Sequence, residues 1–253
     1  MSTKDLINIC YDSFDATLSQ SDSTLFFYIE ITQEVEDLLA DDFTWELAMR
    51  NIPLKQQLAI NNLRFQSDRI IKLLNALILP FIINCKSKTK FTARDLAYGH
   101  GKFGKPFLVG PSCVMQTKIS FNLSDEDGVI GLFVQFDCSD EVGLDLANWK
   151  DIENFVDLGK SDVSQFYQID FRDIFSDVEV LELDETMSGM GETLEPKLKL
   201  LSQYWALKES YSKFLGVGLN QGLQNYQFLN ISPLLENLSI KLNLIRKQVR
   251  WKL

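Results

Sequence analysis

Two side chains near the end of one predicted helix have the types and the spacing for metal and phosphate chemistry. Glu209 and Lys213 lie four residues apart, in a run where apolar residues recur at steps of three and four. This periodicity predicts an amphipathic helix with Glu209 and Lys213 together on its polar face. Spacing alone leaves two interpretations open: an exposed ion pair on a buried helix, or a metal ligand beside a phosphate-binding ammonium.

A lone acidic residue occurs earlier, between apolar neighbours. Asp145 lies in the predicted strand Glu141–Ala147, on the face opposite Leu144 and Leu146. A carboxylate in this place is either a hydrogen-bonded residue at a strand edge or a ligand for a hard cation such as Mg²⁺.

A glycine-rich loop offers a third candidate site. Residues 101–108 contain Lys105 and Pro106, and a predicted strand that leads to Ser124 follows. Glycines allow a backbone to approach a ligand closely, lysines attract phosphate, and a serine hydroxyl can donate a hydrogen bond to it. A solvated turn is the competing interpretation.

The composition limits the class of protein. The chain has 253 residues, 45% of them hydrophobic, and a net charge of −10, which argues against general nucleic-acid binding. Four cysteines without a CxxC pair and a single histidine argue against a zinc site or a disulfide framework. We therefore expect a cytoplasmic protein without a membrane span. The longest apolar run, Leu73–Ile83, predicts a buried helix that ends before Pro80.

The remaining pattern predicts a mixture of strands and helices. We expect strands at Thr24–Thr32, Gln116–Leu123 and Val129–Asp137, and helices over 33–50, 54–79, Phe166–Leu183 and Lys197–Leu215. A loop is predicted for Asp184–Pro196, and strand-like segments for Tyr226–Leu229 and Ser239–Val249.

Taken together and in order, these motifs resemble those of the 4′-phosphopantetheinyl transferases. The resemblance covers roughly residues 30–222 and rests on Gly104-Lys105-Pro106 with Phe121-Asn122-Leu123-Ser124, on Gly143-Leu144-Asp145-Leu146, and on Lys208-Glu209-Ser210 with Lys213 and Gly216-Val217-Gly218-Leu219. It implies an α+β fold of two similar halves, 1–125 and 126–253, each an antiparallel sheet packed with helices, with a ligand cleft between them. The short stretch after Leu219 is compatible with a missing terminal strand in the second half.

The resemblance also implies an activity and its residues. The enzyme would move the 4′-phosphopantetheine arm of coenzyme A to a serine of an acyl or peptidyl carrier domain, and release adenosine 3′,5′-bisphosphate. Asp145 and Glu209 would bind Mg²⁺, or Mn²⁺ in its place, and Glu209 and Lys213 would be catalytic. The residues assigned to coenzyme A on this basis are Lys105, Pro106, Ser124 and Lys208.

The upstream half is similar to the fungal members that activate aminoadipate reductase in lysine biosynthesis. The similar segments begin at Leu39, Met49 and Phe65. This similarity makes the carrier domain of aminoadipate reductase the expected partner of a monomeric enzyme. Lys55 and Arg69 are then the candidates for holding the 3′-phosphate of coenzyme A, and solvated basic side chains are the alternative.

Two departures from the family pattern keep other functions open. Asp125 stands where a histidine is common, and Ala147 stands where many members have a glutamate, which leaves one carboxylate ligand missing. Members that serve fungal lysine biosynthesis and the animal cytosolic enzyme also lack that glutamate. The alternatives are a non-catalytic homologue that binds coenzyme A or a carrier, and an unrelated α/β protein.

Overall fold

The computed structural model describes residues 23–87, 91–111, 118–137, 140–155 and 163–232, which form helices and antiparallel sheets of the α+β class. In this part of the chain, no helix combines the length and the apolar character that a bilayer-spanning segment requires. The described residues up to Leu146, together with Lys213–Gly218, form one compact unit. Those of Ala147–Ser212 and those from Leu219 onward form a second unit.

A three-stranded antiparallel sheet is the centre of the first unit. Its strands are β1 (Thr24–Glu30), β4 (Ile119–Glu126) and β5 (Val129–Phe136), in the order β1-β5-β4. A tight turn through Asp127 and Gly128, both with positive φ, joins β4 to β5. Residue 125, where the sequence suggests a boundary between two halves, lies in β4, whose backbone pairs with β5 along its whole length.

One long helix covers a face of this sheet. The helices before it are α1 (Gln33–Ala40), α2 (Asp42–Met49) and α3 (Leu54–Asn61), and the long helix is α4 (Gln66–Ser87). Ile78, Leu79 and Ile82 of α4 pack with the inward side chains of β5 in a buried apolar cluster.

The prediction that this helix ends before Pro80 is wrong, because Pro80 lies inside it. A proline within a helix costs about 3 kcal/mol. Because Pro80 is itself buried and its neighbours lie in the apolar core, we attribute the continuation of the helix to tertiary burial.

Two features of the first unit bring functional motifs into place. A hairpin of β2 (Ala97–His100) and β3 (Pro106–Gly110) holds the glycine-rich loop in its turn. The predicted strand Glu141–Ala147 forms no backbone ladder, although the segment does run beside β4. It is attached to β4 through side chains instead.

The described part of the second unit is helical. It contains α5 (Trp149–Phe155), α6 (Val163–Gln165) with the π-helical stretch Phe166–Asp170, α7 (Asp177–Ser188) and α8 (Leu194–Leu215), followed by 3₁₀ turns at Gly218–Gln221 and Leu223–Asn225. The last turn of α8, from Lys213 onward, belongs to the first unit. Aromatic and aliphatic residues of α6, α7 and α8 form the core, with Tyr167, Leu183 and Tyr204 among the most buried.

Four predictions in this region differ from the structure or lie outside it. The predicted helix Phe166–Leu183 is interrupted, because turns at 171–176 separate the π-helical stretch Phe166–Asp170 from α7. Much of the predicted loop Asp184–Pro196 is helical, because α7 continues to Ser188 and α8 begins at Leu194. Tyr226–Leu229 is not a strand; side chains of α7 and α8 bond to its backbone. The predicted strand Ser239–Val249 lies outside the described residues.

Candidate functional site

Two polar side chains on one face of β4 hold the segment that carries Asp145. Asn122 and Ser124 are two residues apart on the strand, so they point to the same side, and both are buried. The Leu144 amide donates to Asn122 Oδ1 at 2.9 Å, and the Leu146 amide donates to Ser124 Oγ at 3.1 Å. These bonds take the place of a backbone ladder and fix Asp145 beside Ser124.

Ser124, Asp145 and Lys213 form one hydrogen-bonded network in the first unit. Lys213 Nζ donates to Asp145 Oδ1 at 2.5 Å and to Ser124 Oγ at 3.2 Å. The Ser124 hydroxyl donates to the same carboxylate oxygen at 3.1 Å. The Asp145 side chain is 9% exposed and that of Lys213 is 31% exposed. The structure therefore brings together a carboxylate, a hydroxyl and an ammonium that the sequence places in three separate motifs.

Lys105 anchors the two segments that carry Asp145 and Lys213. Its ammonium donates to the Val142 carbonyl at 2.9 Å and to the Phe214 carbonyl at 3.0 Å, and it lies 2.6 Å from the Glu141 carboxylate. Gly216 has a φ of +67°, and a Cβ at this position would lie 3.2 Å from Cδ of the Lys105 side chain. In this conformation the ammonium of Lys105 is engaged by protein acceptors, so its observed role is to tie the loop to the end of α8.

Asp125 lies away from this network. Successive side chains of a strand alternate between its faces, so Asp125 points away from the side of Ser124. Its Oδ1 accepts a hydrogen bond from the Asn75 amide of α4 at 2.7 Å, and Lys72 Nζ lies 3.5 Å away. An acid after Ser124 therefore does not place a second negative charge on the Ser124 face.

In the second unit, Lys208 forms a buried ion pair with Glu179. Both side chains are 0% exposed, and Lys208 Nζ lies 2.6 Å from Glu179 Oε2. The ammonium also donates to the carbonyls of Leu223 at 3.0 Å and Tyr226 at 2.6 Å. Burial lowers the pKa of Lys208, and the hydrogen bond and the charge of Glu179 raise it in partial compensation.

The buried environment of Lys208 does not suit the phosphate contact that family resemblance gives it. An ammonium has three protons to donate, and all three go to acceptors inside the unit. In this conformation no proton of Lys208 is left for a phosphate oxygen.

Glu209, the residue after Lys208, is partly buried on α8 in the second unit. The ring of Tyr226 packs edge-on against that of Tyr211, with centroids 4.9 Å apart. The pKa of Tyr226 is raised, first by burial and then by the charge of Glu209, while a contact with Ser212 lowers it. The charge of Glu209 therefore acts on the Tyr226 phenol, whose ring packs on the same helix.

The other predicted ligand residues make local contacts or are exposed. Arg69 donates from Nε to the Leu63 carbonyl at 2.8 Å, Lys55 is exposed on α3, and Pro106 is exposed at the start of β3. Among the described residues, no three His, Cys, Asp or Glu side chains form a group that could hold a metal. Asp145 supplies a single carboxylate to its cluster.

Sequence reasoning misses Glu179, although its surroundings carry a local signal. Ser176 and Glu179 have the spacing of a capping box, in which a serine side chain and a glutamate three residues later satisfy the first amides of a helix. The structure contains both reciprocal bonds at the start of α7. That pattern predicts where α7 begins, but it says nothing about a lysine 29 residues away.

Comparison with known proteins finds relatives that align with most of the chain. The sequence profile of the 4′-phosphopantetheinyl transferase superfamily matches residues 141–253. The chain is 30% identical over 210 residues to the L-aminoadipate-semialdehyde dehydrogenase-phosphopantetheinyl transferase of Saccharomyces cerevisiae, an alignment that covers 81% of this chain and 67% of that protein. It is 28% identical to the proteins of the same name from Candida glabrata and Xenopus laevis. Those alignments cover 83% and 75% of this chain, and 74% and 57% of the two relatives.

Proposed function

Because this chain belongs to the 4′-phosphopantetheinyl transferase superfamily, we propose that it transfers the 4′-phosphopantetheine arm of coenzyme A to a serine of a carrier domain. Adenosine 3′,5′-bisphosphate is the second product. The observation that carries this proposal is the network of Ser124, Asp145 and Lys213, because it joins residues of all three motifs in one place.

The names of the relatives direct the choice of carrier. The fungal and amphibian relatives are named for the modification of L-aminoadipate-semialdehyde dehydrogenase. We therefore propose the carrier domain of this enzyme, aminoadipate reductase, as the protein substrate. The cytoplasmic location and the monomeric state stay predictions from the sequence.

Lys213 and Ser124 are suited to bind the diphosphate of coenzyme A. A partly exposed ammonium and a hydroxyl on the same face can both donate to phosphate oxygens. Lys213 would neutralise charge that develops on the oxygen leaving the phosphorus. The same ammonium is paired with Asp145 in the structure, so a bound diphosphate would exchange one set of oxygen acceptors for another.

The carboxylates of Asp145 and Glu209 have the donor chemistry that a magnesium ion requires. Mg²⁺ prefers carboxylate oxygen ligands and retains several waters, so two carboxylates suffice where Ala147 provides none. The contact of Asp145 Oδ1 with the Lys213 ammonium at 2.5 Å supports this proposal, because it places a positive charge against the same carboxylate. When bound by these carboxylates, Mg²⁺ would supply charge neutralisation for the diphosphate. Glu209 is also the candidate base for the serine hydroxyl of the carrier.

The experiment that tests this function measures release of adenosine 3′,5′-bisphosphate. Purified protein is incubated with coenzyme A, Mg²⁺ and the apo-carrier domain of aminoadipate reductase, or with an apo-acyl carrier protein from fatty acid synthesis. We expect release that requires a carrier and is faster with the reductase domain. Binding of coenzyme A without release would identify a non-catalytic homologue instead, and equal rates with both carriers would contradict the carrier assignment.

A further inference from the structure

The buried pair of Lys208 and Glu179 connects three separate segments of the second unit. Glu179 Oε2 accepts a hydrogen bond from the Ser176 amide at 2.8 Å, and Oε1 accepts one from the Phe228 amide at 2.8 Å. Lys208 holds the Leu223 and Tyr226 carbonyls from the other side. The pair therefore attaches the start of α7, the middle of α8 and the segment 223–228 to one another.

The segment 223–228 depends on this pair for its backbone partners. It contains a short 3₁₀ turn, Leu223–Asn225, and otherwise neither helix nor strand. Buried backbone groups need hydrogen-bond partners, which regular secondary structure usually supplies. Here the side chains of Lys208 and Glu179 supply them to Leu223, Tyr226 and Phe228.

Stability alone is a poor reason for an ion pair in this place. Taking both charges out of water is expensive, and well-packed apolar residues of similar volume often stabilise a protein as well or better. A buried pair does what apolar side chains cannot: it fixes the distance and the direction of its partners through short hydrogen bonds.

The pair holds the surroundings of Glu209. Lys208 precedes Glu209 directly on α8, so fixing its side chain fixes the rotation of the helix at that point. The carbonyl that Lys208 binds most closely, at 2.6 Å, belongs to Tyr226. The ring of Tyr226 packs on Tyr211, one helical turn from Lys208.

We propose that Lys208 and Glu179 are positioning residues for Glu209, an inference that rests on the proposed role of Glu209 at the metal. The pair locks α8 and the segment 223–228 together, so that the Glu209 carboxylate is presented in one orientation. Lys208 acts through Glu209 and does not contact the substrate.

The test replaces the pair by apolar residues of similar size. The single variants Lys208→Met and Glu179→Leu each leave one buried charge without its partner and lose stability against urea. The double variant Lys208→Met with Glu179→Leu removes the unpaired charge and recovers that part of the stability, while the backbone groups of Leu223, Tyr226 and Phe228 stay without their side-chain partners. It nevertheless binds Mg²⁺ about 10- to 100-fold more weakly by calorimetry and loses kcat to a similar extent, because the orientation of Glu209 is no longer fixed.

The KM for coenzyme A separates positioning from general damage. We expect little change in KM, because Lys213 and Ser124, which are proposed to bind the diphosphate, belong to the first unit. The matched control is Lys199→Met with Glu195→Leu, which removes a partly exposed ion pair of 2.6 Å from the same helix. The control should retain wild-type Mg²⁺ affinity and kcat.

A double variant with wild-type Mg²⁺ affinity and kcat would overturn the inference. If the double variant fails to fold, the Glu179→Asp variant tests the inference instead. Aspartate keeps the negative charge, but its side chain is shorter by one methylene. We expect it to fold and to bind Mg²⁺ more weakly, and unchanged affinity would overturn the inference. Failure of the proposed function has a different signature: the wild-type protein would release no adenosine 3′,5′-bisphosphate or would bind no Mg²⁺.

Discussion

Three of the four predicted site lysines lie in different environments inside the fold, and the fourth, Lys55, is exposed. Lys208 is buried and donates all of its protons inside its unit. Lys105 binds two carbonyls and lies against an exposed glutamate. Lys213 is partly exposed and bonds to a carboxylate and a hydroxyl. Of the three, Lys213 can most readily exchange its partners for phosphate oxygens, because its bonds to Ser124 and Asp145 are to side chains and not to backbone carbonyls.

Replacement of Lys213 tests whether its ammonium competes with a metal for Asp145. The Lys213→Met variant should lose transfer activity, because a phosphate contact is removed. Its Kd for Mg²⁺ should be unchanged or lower, because a cation 2.5 Å from Asp145 Oδ1 is gone. Calorimetric titration with Mg²⁺ measures this, with Lys150→Met, an exposed lysine on α5, as the control. Markedly weaker Mg²⁺ binding by Lys213→Met would show that the lysine supports the metal site instead.

At the scale of elements, the start of α7 links local folding to the site. Ser176 caps this helix and forms the capping box with Glu179, the same residue that pairs with Lys208. Glu179 therefore stabilises the start of α7 and, through Lys208, also positions α8. Substitutions at the start of α7 should lower the stability of the protein directly, and they should lower its activity through Glu179.

Removal of the cap gives a measurable loss of stability. We expect Ser176→Ala to lower the free energy of unfolding by about 1 kcal/mol, because the Glu179 amide loses its acceptor. Ser188→Ala is the matched control, since this exposed serine at the other end of α7 bonds to the Asp184 carbonyl of the preceding turn. Urea unfolding compares the two variants. An equal loss in both would show that the cap contributes nothing specific.

The hairpin that carries the glycine-rich loop contains a partly buried tyrosine, Tyr98, whose pKa is raised. Burial raises the pKa of Tyr98, which packs on Phe121 of β4, to about 12. An unfolded tyrosine ionises near pH 10, so between about pH 10 and 12 the unfolded state loses a proton that the folded state keeps. Stability is therefore unaffected by Tyr98 below pH 10 and falls as the pH rises through this window.

The Tyr98→Phe variant isolates this contribution. Between pH 9 and pH 12 the wild-type protein should lose about 2 kcal/mol more stability than the variant, because phenylalanine cannot ionise. Urea midpoints measured at both pH values for both proteins give the difference. Parallel losses in the two proteins would mean that Tyr98 ionises in the folded state as easily as in the unfolded state.

At the scale of the whole chain, local patterns predict the elements better than their connections. The periodicity of apolar residues correctly predicts α8 and its end near Leu215. It fails at Pro80, where burial outweighs a local signal, and at Glu141–Ala147, where side chains replace a ladder. The local preferences of the sequence reflect neither tertiary burial nor hydrogen bonds from distant side chains.

The site depends on sequence information of two kinds. Family resemblance connects Ser124, Asp145 and Lys213, whose contacts span up to 89 residues of chain. No spacing rule predicts that they converge. For Lys208, the sequence predicts the position on a helix. Its partner Glu179 is recognisable only in the folded structure.

The most direct test of the whole proposal is the mass of an apo-carrier domain of aminoadipate reductase after incubation with coenzyme A, Mg²⁺ and this protein. We predict a gain of one phosphopantetheine arm with the wild-type protein. The Asp145→Asn and Glu209→Gln variants should be slower by about 100-fold or more, because each removes a proposed metal ligand. Asp151→Asn, an exposed acid on α5, should behave as wild type. No mass gain with wild-type protein, or near-normal transfer by Asp145→Asn or Glu209→Gln, would contradict the proposed site.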